Sequence, residues 1–342
     1  MPTHCRAASR PALRPVLWLG LALALAGPAA AADAAPELLA WRLVPGRELR
    51  YRFTSDQLSH QQLEGRQFTT RQLHSLVWTM RVQELEAPEG PAIVRLRYDA
   101  VKVELDLMST GRLRWDSTDP EDLKRQKDPT IRPYAALVGG ELGFAMRPDG
   151  SVLEGSLVGL AAIRERVLQE LGDGPFARHT LGVALSDAAV RSELERAFRV
   201  LPPEPAAPGA SWRHRVVRPV PVLGGLAFDQ DFRLAAFEQG PAGRLARIEL
   251  VSAIAPAPGA LPPPEPTPQD AFLQALAVEF QGGGGQGEVL FSLDAGCLLR
   301  STLRSRMKLA SRIGEPVASA DGPGATRVAT EVEQTITVEL LP

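Results

Sequence analysis

Three motifs recur in the same order in the two halves of this chain, and each launches or turns a β-strand. Pro45-Gly46 opens PGRELRYRF and Pro208-Gly209 opens PGASWRHRV; both read P-G-x-x-Φ-R-x-R-Φ, where Φ is apolar. Gly90-Pro91-Ala92 precedes the alternating IVRLRYDAVKVEL, and Gly240-Pro241-Ala242 precedes RLARIELVSAI. GELGFAMRPDGSVLEG from Gly140 and GEVLFSLDAGCLLRS from Gly287 both give Gly-Glu, a Phe three residues later, an Asp-containing turn and a second strand. An ordered repeat of this kind points to a duplicated strand-rich unit rather than to local coincidence.

Apolar residues at period two mark strands with one face in a core and one in water. Leu76, Trp78, Met80 and Val82 share one phase. In the next run Val94, Leu96 and Tyr98 set one phase, and Val101, Val103, Leu105 and Leu107 set the other. A bulge at Asp99–Ala100 restores a single buried face and curves the sheet. The C-terminal segments 298–309 and 326–340 form a further strand pair.

Between the repeats the period changes. Leu157, Leu160, Ile163, Val167 and Leu171 recur at helical spacing, and a second helix starts at an N-cap Ser186 and carries Val190, Leu194, Ala197 and Phe198 on one face. The organisation expected is a first repeat at 37–155, a helical insert at 156–201, a Pro-rich linker at 202–209, and a second repeat at 210–342. A Pro-rich exposed loop falls at 256–268. The fold class is α+β, mainly β: two tandem curved antiparallel sheets, half-barrel-like, with a helical pair inserted between the copies.

Residues 1–32 read as an export signal: Arg6, Arg10 and Arg14, then VLWLGLALALA, then small residues, with cleavage near Ala32. The apolar run is short against the ~20 residues of a membrane span, so no transmembrane span is expected in the mature chain. Removing three arginines takes the net charge from -2 to -5, which disfavours a general nucleic-acid binder. It also removes Cys5, so Cys297 is the one cysteine left and no internal disulfide staples the fold. A periplasmic or extracellular location follows.

Chemical motifs do not survive inspection. Gly282, Gly284 and Gly287 satisfy G-x-G-x-x-G, but Gly287 opens an alternating strand where a dinucleotide site requires a helix. Glu288 stands where a P-loop requires Lys. The glycines are therefore expected to form a hairpin connection that turns the chain. Ser305 and Lys308 match S-x-x-K, yet on a strand they point to opposite faces. His60, His74, His179 and His214 lack ligand spacing, and Cys297 has no activating partner. No catalytic residue, metal site or cofactor is expected. Arg300, Arg304, Arg306 and Lys308 form a basic stripe, for which the preferred reading is a paired, solvated face opposite Glu331, Glu333 and Glu339. The other reading is a surface for an anionic lipid or polymer.

The Pro-Gly strand starts, the Gly-x-x-x-Phe hairpin and the export signal resemble an uncharacterised family of exported bacterial proteins, across roughly residues 37–341. The architecture is similar at fold level to periplasmic lipoprotein-carrier half-barrels, a resemblance that implies an acyl chain held between sheet and helices. Trp78, Met80, Tyr98, Leu105, Phe144, Met146, Trp212, Phe232 and Phe291 are the side chains expected to line such a site, or else to fill a solid core. The function expected is non-catalytic binding of a lipid, a lipoprotein acyl chain or another apolar ligand in the envelope. The alternatives are an assembly factor acting on an envelope protein partner and, third, a hydrolase whose site forms across the sheets.

Overall fold

The computed structural model describes residues 35–342 except 86, 88–89, 108–110, 172–181, 221–222, 242, 258, 260–276 and 314–325. The expected export signal and most of the Pro-rich loop lie outside the described residues. Residues 34–342 form one compact unit.

Among the described residues there are eleven strands: β1 Glu48–Leu63, β2 Arg66–Leu85, β3 Ala92–Leu107, β4 Gly111–Asp116, β5 Glu141–Met146, β6 Ser211–Arg218, β7 Leu226–Gly240, β8 Gly243–Pro256, β9 Ala277–Ser292, β10 Cys297–Ile313 and β11 Thr326–Leu340. Two single turns, α1 (Pro120–Leu123) and α2 (Arg132–Ala135), precede the helices α3 (Leu160–Leu171) and α4 (Asp187–Phe198). Turn chemistry sets the hairpins. Glu64 and Gly65 both take positive φ, 48° and 77°, as the two-residue connection of a twisted hairpin requires, and Leu63 pairs with Arg66 across it. Gly46 and Gly209, with φ 83° and 93°, close the Pro-Gly turns ahead of β1 and β6.

The strands join in one antiparallel sheet, in the order β4-β3-β2-β1-β11-β10-β9-β8-β7-β6, with β5 on β3. Where the sequence reading has two tandem sheets, the structure has one, mainly β and not closed. The cause is β11. The last strand returns to pair with the first from Tyr51↔Leu340 to Leu63↔Val328, sealing the two halves edge to edge.

The bulge forms where the alternation changes phase. Val77 pairs with Ala100 and Trp78 with Tyr98, so Asp99 is the extra residue. Thr79 Oγ1 and Arg97 Nε donate to its carboxylate at 2.6 and 2.9 Å, holding it on the charged face. Val101 and Val103 thereby return to the apolar face, where they pack on Trp115 and Ile131.

The glycine-rich stretch does not turn the chain. Gly282–Gly285 and Gly287 lie inside β9, paired with β10 and, from Gly283 onward, also with β8. Glycine in a strand interior often marks a close backbone approach, and here a Cβ on Gly285 would fall 2.6 Å from the Arg304 carbonyl.

One sheet face carries the core. Helix α3 buries Leu160, Ile163 and Val167; α4 buries Leu194 and Phe198, with Ser186 capping its N-terminus through the Ala189 N–H at 3.2 Å. Phe198 is the hub. Its ring lies 5.6 Å from Trp41, 6.4 Å from Tyr51 and 6.5 Å from Phe144, and Trp41 Nε1 donates to its carbonyl at 3.0 Å. Two matched positions, Tyr51 in β1 and His214 in β6, are both buried and both meet a backbone carbonyl, of Leu298 and Leu201 respectively.

Candidate functional site: a trough across the charged face

The nine side chains expected around an apolar ligand lie on the core face. Trp78, Met80, Phe144, Met146, Phe232 and Phe291 are buried in a single cluster, Tyr98 and Trp212 pack against it, and Leu105 is buried farther along β3. They meet one another and their neighbours. Trp212 stacks on Phe232 at 5.7 Å, Trp78 on Phe53 at 5.9 Å, and Phe291 stands edge-on to Trp41 at 5.7 Å. Burial also pushes the Tyr98 phenol above its ordinary pKa.

A broad cleft lies on the opposite face. A trough of about 820 Å³ crosses six strands, from Arg71 in β2 through Asp56 and Leu58 in β1, Glu333 and Thr335 in β11, Arg304 and Arg306 in β10, and Gly284 and Gln286 in β9, to Val251 in β8. An adjoining cleft of about 410 Å³, lined in part by His60, Thr69, Lys308 and Glu331, continues it toward the strand ends. Register decides this grouping. Leu58 pairs with both Glu333 and Arg71, Arg304 with both Thr335 and Gln286, and Val251 with Gln286, so these side chains share one face.

That face is laced with ion pairs. Arg71 holds Asp56 through two hydrogen bonds, at 2.9 and 2.7 Å, and keeps its carboxyl below the ordinary carboxylate range. Arg52 pairs with Glu339 at 3.0 Å, and Arg306 with Glu331 and, at 3.7 Å, with Glu333. The cross-strand register of the basic and acidic stripes is as the sequence indicates: Arg300↔Glu339, Arg306↔Glu333, Lys308↔Glu331. The side chains sort differently, because Glu339 turns to Arg52 and Glu331 to Arg306. Among the described residues Arg300, Arg304 and Lys308 have no ion pair.

Two apolar side chains line the trough itself. Val251 is 59% exposed, and Leu58 is half-buried. Between them the floor at Gly284 is bare. Both break the polar phase of their strands, Arg50-Arg52-Thr54-Asp56-Leu58 and Arg247-Glu249-Val251, and that break is the signal a reading of the sequence could have used. Among the described residues, no three or more His, Cys, Asp or Glu are placed to hold a metal, and no helix is long and apolar enough to cross a membrane.

No protein-family model and no curated protein matches the chain. Solved structures give distant likenesses. A structure of lipid–protein interactions in lipovitellin aligns at 9% identity and a TM-score of 0.40, over 88% of this chain but 26% of that one. The outer membrane protein OprG from Pseudomonas aeruginosa aligns at 7% identity and a TM-score of 0.20, covering 87% of this chain and 98% of its own. A DUF1329 family protein from Desulfovibrio piger aligns at 6% identity and a TM-score of 0.13, over 82% and 83% of the two chains. Likenesses this distant carry no argument about activity.

Proposed function

We propose that this is an exported, non-catalytic protein of the cell envelope that binds an amphiphilic ligand along the charged face of its sheet. One observation carries the reading: the trough sets Leu58, Val251 and the bare Gly284 beside cations, on a face rich in ion pairs. An exposed apolar side chain in a polar cleft gains from being covered, at roughly 25 cal/mol per Å² of apolar surface. A ligand with an apolar part supplies that cover.

The core side of the sheet suits this role less well. There the rings expected to line a cavity pack against other core rings, and close packing of that kind stabilises the fold. A non-catalytic role fits the state of the trough acids. Arg71 keeps the Asp56 carboxyl below the ordinary carboxylate range, and both Asp56 and Glu333 are engaged by arginines. Export rests on the charged and apolar pattern of residues 1–32.

Native mass spectrometry of the mature protein, purified from the envelope fraction of an expressing cell, tests the reading. Adducts of lipid mass that organic extraction removes are expected. Protein free of adducts, which also takes up no amphiphile on titration, contradicts it. Stable recovery of an envelope protein partner in place of lipid favours the assembly-factor alternative.

A further inference from the structure

We infer that the ligand is a single-chain amphiphile with an anionic head, and that Arg304 receives the head. The inference rests on the proposed binding role and adds the ligand's charge and orientation to it.

The charges of the trough decide the sign. Three arginines, Arg71, Arg304 and Arg306, line the trough with Asp56 and Glu333, and Glu331 reaches Arg306 from beside it, so the sign rests on which cation is left unpaired. Arg71 is engaged by Asp56 and Arg306 by two glutamates. Arg304 is the uncommitted cation. Its direct cross-strand partners, Thr335 on β11 and Gln286 on β9, are neutral, and the nearest carboxylates, Glu333 and Glu288, stand diagonal to it without an ion pair among the described residues. Both carry hydrogen-bonding groups that can complete the shell of an oxyanion whose charge Arg304 meets.

Geometry then places the tail. Arg304 lies between the two apolar groups of the trough, with exposed Val251 two strands away on β8 and half-buried Leu58 two strands away on β1. Gly284, on the neighbouring β9, lets an alkyl chain approach the backbone where any other residue would raise a side chain. A head on Arg304 thus leaves a tail across Gly284 toward Val251, and covering Val251 removes the exposed apolar surface.

Isothermal titration with the mature protein tests this, using dodecanoate, dodecyl phosphate and the uncharged glycerol monoester of dodecanoate below their aggregation concentrations. Dodecanoate and dodecyl phosphate are expected to bind, and the neutral ester about tenfold more weakly, the value of one hydrogen bond to a charged group. Arg304→Gln is expected to erase that difference, and Val251→Asp to weaken all three. Arg300→Gln, exposed on the same strand and outside the trough, is expected to change nothing. Tighter binding of only one of the two anions identifies the head as carboxylate or phosphate, and supports the inference either way. Equal binding of neutral and anionic ligands, or an Arg304→Gln variant that still discriminates, overturns the inference and leaves the binding role standing. Failure of every amphiphile to bind overturns both.

Discussion

At Gly287 the backbone of β9 passes so close to the Thr302 carbonyl that a methyl group has no room. The collision would be with main chain, which a side-chain rotation cannot relieve. Gly287→Ala is therefore expected to destabilise the protein by about 1–3 kcal/mol, read as a lower urea midpoint. An unchanged midpoint would show that the strands separate easily there. Two histidines give a second residue-scale expectation. Burial lowers the pKa of His74, whose ring stands against Tyr134, and of His214, below the ordinary 6.5. Each ring binds a proton less readily in the folded chain than in the unfolded one. Below about pH 6.5 the unfolded chain takes up protons first, so stability that is complete above that pH falls as acid is added. Urea unfolding at pH 7.5 and at 5.5 is expected to give the lower midpoint at 5.5. Equal midpoints would mean that both imidazoles are solvated.

Elements show which features are written locally. The bulge in β3 was legible because the apolar phase switches between Tyr98 and Val101, and period two permits that only if one residue is extra. Removing Asp99 would restore strict alternation and turn Val101, Val103 and Leu105 onto the charged face. That deletion is expected to abolish a cooperative melt followed by circular dichroism, whereas Asp99→Gly, which keeps the extra residue, retains one. A native-like melt from the deletion would mean that the register can slip. The helices were legible for a similar reason: Ile163, Val167, Leu194 and Phe198 are where spacing puts them, and Ser186 caps as its hydroxyl allows. Strand β9 was not legible. Glycine has low strand propensity, so Gly282–Gly285 read as a connection. The contacts that make them a strand belong to β8 and β10, and nothing in β9 itself announces them.

The whole molecule is decided by pairings between distant parts of the chain. No local pattern in β1 or β11 says that they are partners, yet their pairing turns two strand-rich halves into one sheet and gives Phe198 neighbours from the segment before β1, from β1 and from β5. The trough is illegible on the same grounds, since its side chains come from six strands and share a face only once the register is known. The sequence had selected the apolar residues of the repeat as the ligand's surroundings, and eight of those nine are joined in or against one core cluster. The account's central claim is that ligand lies on the charged face and leaves that core undisturbed. Methyl NMR of the mature protein titrated with dodecanoate tests it directly. Shifts are expected at Leu58 and Val251, with Leu96, Ile163 and Val289 unmoved; shifts at Ile163 and Val289 with Val251 unmoved would contradict it.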